Sequence, residues 1–284
     1  MAVTASVFPA FDIGRLETVV LLSLRLGAAF LATPILSAAS IPMVVRVLVV
    51  LALAAALSFS LPGADVALSV TGHLGGLVQA ALSELALGMT LALGILLAFA
   101  AFTTAGQLLD VQIGFGMAQV LDPATNARMP IFSTAYNQAA VVVFFLVNGH
   151  HALLRGLAYS LERFPLAQPW PFDAALAPIT KQVVGLLGLS FALAAPVVFC
   201  LLLTEMALGV VARNLPQMNM LTMGIPVKIV VGAIAGSLWF AGIGNMMTRV
   251  YDEIYKSWGT IFSPGMAAAH AATRDAWQLV SKEG

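Results

Sequence analysis

The stretch Gln107–Pro130, QLLDVQIGFGMAQVLDPATNARMP, lies between long apolar runs, and its reading decides what those runs build. It reads as irregular, partly polar chain. Irregular backbone near membrane depth survives only where protein covers it or water reaches it, because hydrocarbon leaves N–H and C=O groups unpaired. Gly114 and Gly116 flank Phe115, and Met117 follows. Glycine lets the backbone turn sharply, while the ring and the thioether supply soft apolar bulk. A loop of this kind fills a hole or simply turns between two spans, and composition alone leaves both open.

Outward from that loop, the 284 residues are 60% hydrophobic and 9% charged, whereas an ordinary globular chain is roughly a quarter charged. Crossing the hydrocarbon takes about 20 mostly apolar residues as a helix. Six stretches come close: Thr18–Leu36, Val44–Leu61, Leu77–Thr103, Ile131–Val147, Val183–Val211 and Thr222–Met247. The expected fold is an all-α integral membrane protein of about six long hydrophobic, kinked helices arranged as hairpins. Pro34 and Pro42 mark the first hairpin turn, Asn214 and Pro216 the last, and Pro196 predicts a kink. The proline-rich connection from His150 to Gln182 carries no domain of its own, so residues 1–284 read as a single membrane domain. Loop Lys and Arg are denser on the side of the two termini, which places both in the cytoplasm. No basic residue precedes the first apolar run, and Arg25 interrupts it, so that run reads as retained and not as a cleaved signal.

Several function classes drop out. Net charge is zero and the 13 basic residues are dispersed, which excludes a nucleic-acid surface. The single cysteine, Cys200, excludes an internal disulfide. His150 and His151 lack an HExxH context, Asp110 and Asp122 have no phosphate-cradling loop, and no GxSxG or GxxxxGK[ST] occurs. No catalytic, cofactor-binding or metal-ligating set is expected.

Arg25, Arg46, Glu84, Glu205 and Lys228 fall in or near apolar segments, where each would cost roughly 2.5–3.5 kcal/mol at the centre of an isolated span. Glu205 and Lys228 lie about a dozen residues either side of the Pro216 turn, so at roughly 1.5 Å per residue they reach similar depth. They are expected to meet as a buried ion pair that fixes hairpin register, an ion relay being the other role open to them. Gly232 and Gly236 form a GxxxG and are expected to admit a packing helix, from this chain or another. From Val250 to Phe262, apolar and aromatic residues at helical spacing suit a helix on the membrane interface or a continuation of the last span with its aromatic belt, and 249–284 is taken as interfacial helix and tail.

Taken together, the blocks Ala105-Gly106-Gln107 through GFGMAQVLDPATNARMP, Asn148-Gly149-His150-His151, Glu205, Leu208-Gly209, Arg213, Pro216-Gln217 and Gly224-Ile225-Pro226-Val227-Lys228 resemble the FliR family of flagellar export-gate proteins, in the same order. The resemblance implies a non-enzymatic subunit without cofactors, in the bacterial inner membrane within the flagellar basal body. Its partners would be FliP and FliQ in a hetero-oligomeric gate, FlhB and FlhA, unfolded flagellar export substrates, and membrane lipid. It further implies a FliP-like part, 1–150, with a pore plug loop at 107–130, followed by a FliQ-like helical hairpin at 183–248. The family's plug, carried over, is Ile113, Gly114, Phe115, Gly116, Met117, Ala118 and Gln119, framed by Asp122, Pro123 and Pro130. Two other readings remain beside it: the T subunit of a virulence type III system, with the same architecture and different cargo, and a secondary transporter, which also uses broken helices and intramembrane charges.

Overall fold

The computed structural model describes residues 13–31, 33, 41–59, 74–115, 130–168, 170, 172–214 and 220–262. Among these residues the regular structure is entirely helical, in eight helices. They are α1 (Ile13–Leu31), α2 (Met43–Ser58), α3 (Leu74–Ile113), α4 (Ile131–Leu146), α5 (Gly149–Arg163), α6 (Phe172–Asn214), α7 (Met220–Gly242) and α8 (Gly244–Ile261). The chain is thus an all-helical membrane protein, as expected. Among the described residues three helical segments are long and apolar enough to cross: Gly75–Ile113, Leu176–Asn214 and Met223–Gly242. A fourth results if α4 and α5, bent by 65° where they join, count as one broken span. Helix α1 carries Arg15, Glu17 and Arg25, and α2 is only 16 residues long, which removes both as conventional spans.

Three further expectations change. Gln107–Ile113 is not loop but the last two turns of α3, because Leu109 and Ile113, one turn apart, are both fully buried. The connection after His150 contains α5, whose low mean hydropathy hid a stripe of buried residues at helical spacing, Leu153, Leu157 and Ser160, that continues to Phe164 just beyond the helix. In α8, Tyr251, Ile254, Trp258 and Phe262 are buried against protein, so the stripe expected at a membrane interface is core. The turns around Pro34 and Pro216 and the tail beyond Phe262 lie outside the described residues.

The helices gather into two compact units. The first draws on the chain up to Leu96, on His151–Ile179 and on residues from Ser257. Here α1 packs on α2, and Leu21, Ala80 and Ala167 share a small core with Leu166. Arg25 and Glu84, both fully buried, form a two-pronged ion pair, Nε to Oε2 at 2.5 Å and NH2 to Oε1 at 3.1 Å. Arg25 also donates to the Phe164 carbonyl and to Ser160 Oγ, and Glu84 accepts the Ala167 N–H. That last bond holds Ala167 at φ 65°, a left-handed conformation costly for a residue with a Cβ. Gly88 lets the α1 backbone approach α3, since any side chain there would collide with the Arg25 carbonyl.

The second unit comprises Leu97–His150 and Thr180–Lys256. Phe99, Phe102, Phe144 and Tyr251 stack in tilted pairs, and Tyr251 donates its hydroxyl to the Ala140 carbonyl at 2.7 Å. Asn148 turns the chain at φ 55°, a conformation asparagine tolerates, and Gly149 leaves room for the Phe144 ring. This explains the Asn-Gly pair of the sequence block.

Candidate functional site: the base of the Gly114–Pro130 connection

The polar end of α3 is fixed first by its own backbone. Gly114, at φ 99°, ends the helix with its N–H on the Val111 carbonyl at 3.2 Å, and the Phe115 N–H reaches the Asp110 carbonyl at 3.0 Å. This is the glycine-terminated cap that satisfies the last carbonyls of a helix. At the other end of the connection, Pro130 precedes α4 and offers neither an N–H nor a side-chain oxygen, so no local side chain caps that helix.

Asp110 supplies the missing acceptor from across the gap. Its Oδ1 accepts the Phe132 N–H at 2.9 Å, and its Oδ2 accepts the Ser133 N–H at 2.9 Å and the Ser133 hydroxyl at 2.6 Å. A carboxylate at a helix N-terminus is also favoured by the helix dipole. One turn back, Gly106 faces the Ser133 backbone, closer than a Cβ would permit. The ends of α3 and α4 are therefore in backbone contact.

Helix α7 seats both ends. A Cβ built on Gly232 would come within 2.6 Å of Ile113 Cγ1, and one on Gly236 would collide with the ring of Phe132. The two glycines, one turn apart, thus form two shallow seats for the residues that begin and end the connection. The ring of Phe115 lies 6.3 Å from that of Phe132 and covers the same place.

Lys228 on α7 and Glu205 on α6 form an ion pair, and the Gln112 amide donates to the same Glu205 oxygen at 3.4 Å. The pair was expected to be buried and is not. The side chains keep 25% (Lys228) and 37% (Glu205) exposure, because little of the α6–α7 hairpin is covered by the rest of the chain. Farther along, the Leu193 carbonyl accepts both the Trp239 indole N–H at 2.8 Å and the Tyr136 hydroxyl at 3.2 Å. Pro196, three residues on, has no N–H, so the Ala192 carbonyl beside Leu193 lacks its usual helical donor.

Of the residues singled out in the sequence, Ile113, Gly114, Phe115, Pro130, Glu205, Lys228, Gly232 and Gly236 are described, all in this unit. Gly116, Met117, Ala118, Gln119, Asp122 and Pro123 lie outside the described residues. Sequence reasoning passed over Asp110, Gly106 and Gln112 as site residues. The signal for Asp110 was there: a lone carboxylate in an apolar turn, some twenty residues before a helix whose first position is a proline. Among the described residues no group of three or more metal-ligating side chains forms.

The family described as Bacterial export proteins, family 1, matches residues 16–254. The flagellar biosynthetic protein FliR of Bacillus subtilis is 33% identical over 230 residues, 80% of this chain and 84% of that protein. FliR of Escherichia coli is 31% identical over 243 residues, 84% and 90% of the two chains. The surface presentation of antigens protein SpaR of Shigella flexneri is 28% identical over 204 residues, 72% and 77%. With a family match over most of its length and relatives above 30% identity covering four fifths of it, this chain belongs to the FliR family of bacterial export proteins.

Proposed function

We propose that this chain is a non-enzymatic core subunit of the flagellar type III protein export gate in the bacterial inner membrane. With FliP and FliQ chains it forms the channel for unfolded flagellar proteins, contacts FlhA and FlhB, and closes the resting pore with the plug Ile113–Gln119. Family membership supports the export role, and the two relatives above 30% identity over four fifths of this chain are both flagellar FliR proteins, which favours the flagellar branch over the virulence one represented by SpaR at 28% over 72% of the chain.

The observation that carries the plug role is the gathering of Ile113, Phe115 and Phe132 around the two tied ends of a glycine-rich connection. A seal needs a fixed base and an apolar, yielding tip. Phe115 and Met117, flanked by glycines, supply apolar bulk without fixed hydrogen-bond partners, and narrow apolar constrictions hold back water and ions by dewetting. The test is to delete Gln112–Ala118, or to replace Phe115 and Met117 by serine, in cells where assembly with the partner subunits has been verified. Small-solute permeability should rise. Background permeability in a fully assembled complex would refute the plug role.

A further inference from the structure

We propose that Asp110 is a positioning residue that ties together the two ends of the connection between α3 and α4. Its backbone carbonyl takes the Phe115 N–H at 3.0 Å on the departing side. Its carboxylate takes the Phe132 N–H, the Ser133 N–H and the Ser133 hydroxyl on the returning side, at 2.9, 2.9 and 2.6 Å. One residue thus terminates one helix and starts the next.

The chemistry selects aspartate. Three donors converge on two oxygens, which a carboxylate satisfies and an amide does not, because the amide nitrogen would point its own hydrogens at backbone N–H groups. Asp110 is 7% exposed and Ser133 is 8% exposed, so water cannot readily replace the lost acceptor. Pro130 at the cap position leaves α4 no local substitute. The surrounding contacts agree: Gly106 brings the backbones together, and Gly232 and Gly236 seat the flanking Ile113 and Phe132. A residue that only capped α4 would sit beside it in sequence. Asp110 lies 22 residues before Phe132, at the very turn where α3 stops, so capping also fixes the distance between the ends.

The functional consequence, that the tie sets where the plug stands, rests on the plug reading; the tie itself does not, and the test separates them. Three variants are prepared in the complex assembled with its partner subunits: Asp110→Asn, Asp110→Asn with Pro130→Asp, and wild type. Hydrogen exchange reads the α4 cap. Asp110→Asn should raise exchange at the Phe132 and Ser133 amides by about tenfold while α6 amides stay unchanged, and the double variant, which carries a local cap, should restore protection.

Cysteine crosslinking then reads the tie, with Cys200→Ser as background and the pair Phe115→Cys and Phe132→Cys, whose native rings lie 6.3 Å apart. Crosslinking should be efficient with Asp110 and should fall severalfold in the double variant despite its restored cap. Unchanged exchange in Asp110→Asn overturns the proposal. So does undiminished crosslinking in the double variant, which would make Asp110 a cap alone. If Asp110→Asn does not assemble, the double variant decides, since a local cap that fails to restore assembly removes the capping role. A Gln112–Ala118 deletion that does not leak would sink the plug reading and leave both measurements standing.

Discussion

Gly232 on α7 lies directly against the side chain of Ile113, the residue at which α3 ends. A GxxxG in an apolar helix suggests a seam for another helix, but here both glycines face the two ends of one connection, Gly232 against Ile113 and Gly236 against Phe132. Gly232→Leu therefore has to displace the last residue of α3, and overpacking of this kind costs typically 1–3 kcal/mol. The expected outcome is an altered loop before any loss of assembly: small-solute leakage or slowed export from complexes that still purify with all subunits. Gly242 has open space around it, so Gly242→Ala serves as the silent control. Loss of assembly in Gly232→Leu with normal function of whatever complex remains would contradict this.

The Glu205–Lys228 pair permits a charge-swap test. At 37% and 25% exposure the pair is screened wherever water reaches it and is then worth about 1 kcal/mol or less. Glu205→Lys places two cations opposite each other, and Lys228→Glu places two anions. Either single variant should lower the thermal stability of the purified complex, and the swap Glu205→Lys with Lys228→Glu should recover most of it. No recovery would mean that the two residues act through other partners, Gln112 being the first to examine.

Arg25 and Glu84 present the opposite case, with no exposure on either side chain. Removing one partner of such a pair leaves an uncompensated buried charge and costs about 3–5 kcal/mol. Arg25→Met should therefore reduce the amount of folded chain in membranes severely. Adding Glu84→Gln neutralises the stranded carboxylate while keeping an acceptor for the Ala167 N–H, so the double variant should accumulate better than Arg25→Met alone. Equal or lower accumulation would show that Glu84 stays charged and paired without Arg25.

The periodicity of the apolar runs made the helices legible, and chain geometry made the partnership of Glu205 and Lys228 legible, because a hairpin turn relates residues equally far from it. Burial was not legible in the same way. Exposure depends on what covers the hairpin, and sequence spacing holds no record of that; hence a pair expected inside lies half-exposed, while Arg25 and Glu84, which no turn relates, pair out of water. The extent of α3 was misjudged because Gln107, Asp110 and Gln112 read as polar loop, although each points to a specific partner or to the surface while Leu109 and Ile113 keep the helix in the core. Asp110 left a signal, a lone carboxylate among apolar residues, but its capping role was hard to read because the helix it starts begins 21 residues later.

The Leu193 carbonyl supplies the last prediction. That oxygen takes Trp239 Nε1 and the Tyr136 hydroxyl from two other helices, within one turn of Pro196, whose ring crowds the preceding turn of α6. The expectation is that the proline, by crowding this turn, makes the Leu193 carbonyl accessible to α4 and α7. Trp239→Phe keeps the ring and loses the 2.8 Å bond, at a cost of about 1 kcal/mol. Pro196→Ala lets the turn close and the Leu193 carbonyl return to its own helix, after which Trp239 has no bond to lose. Trp239→Phe should then cost clearly less in the Pro196→Ala background than in the native one, a coupling that a double-mutant cycle on the thermal stability of the assembled complex measures directly. Strictly additive effects would show that the Trp239 bond does not depend on the proline.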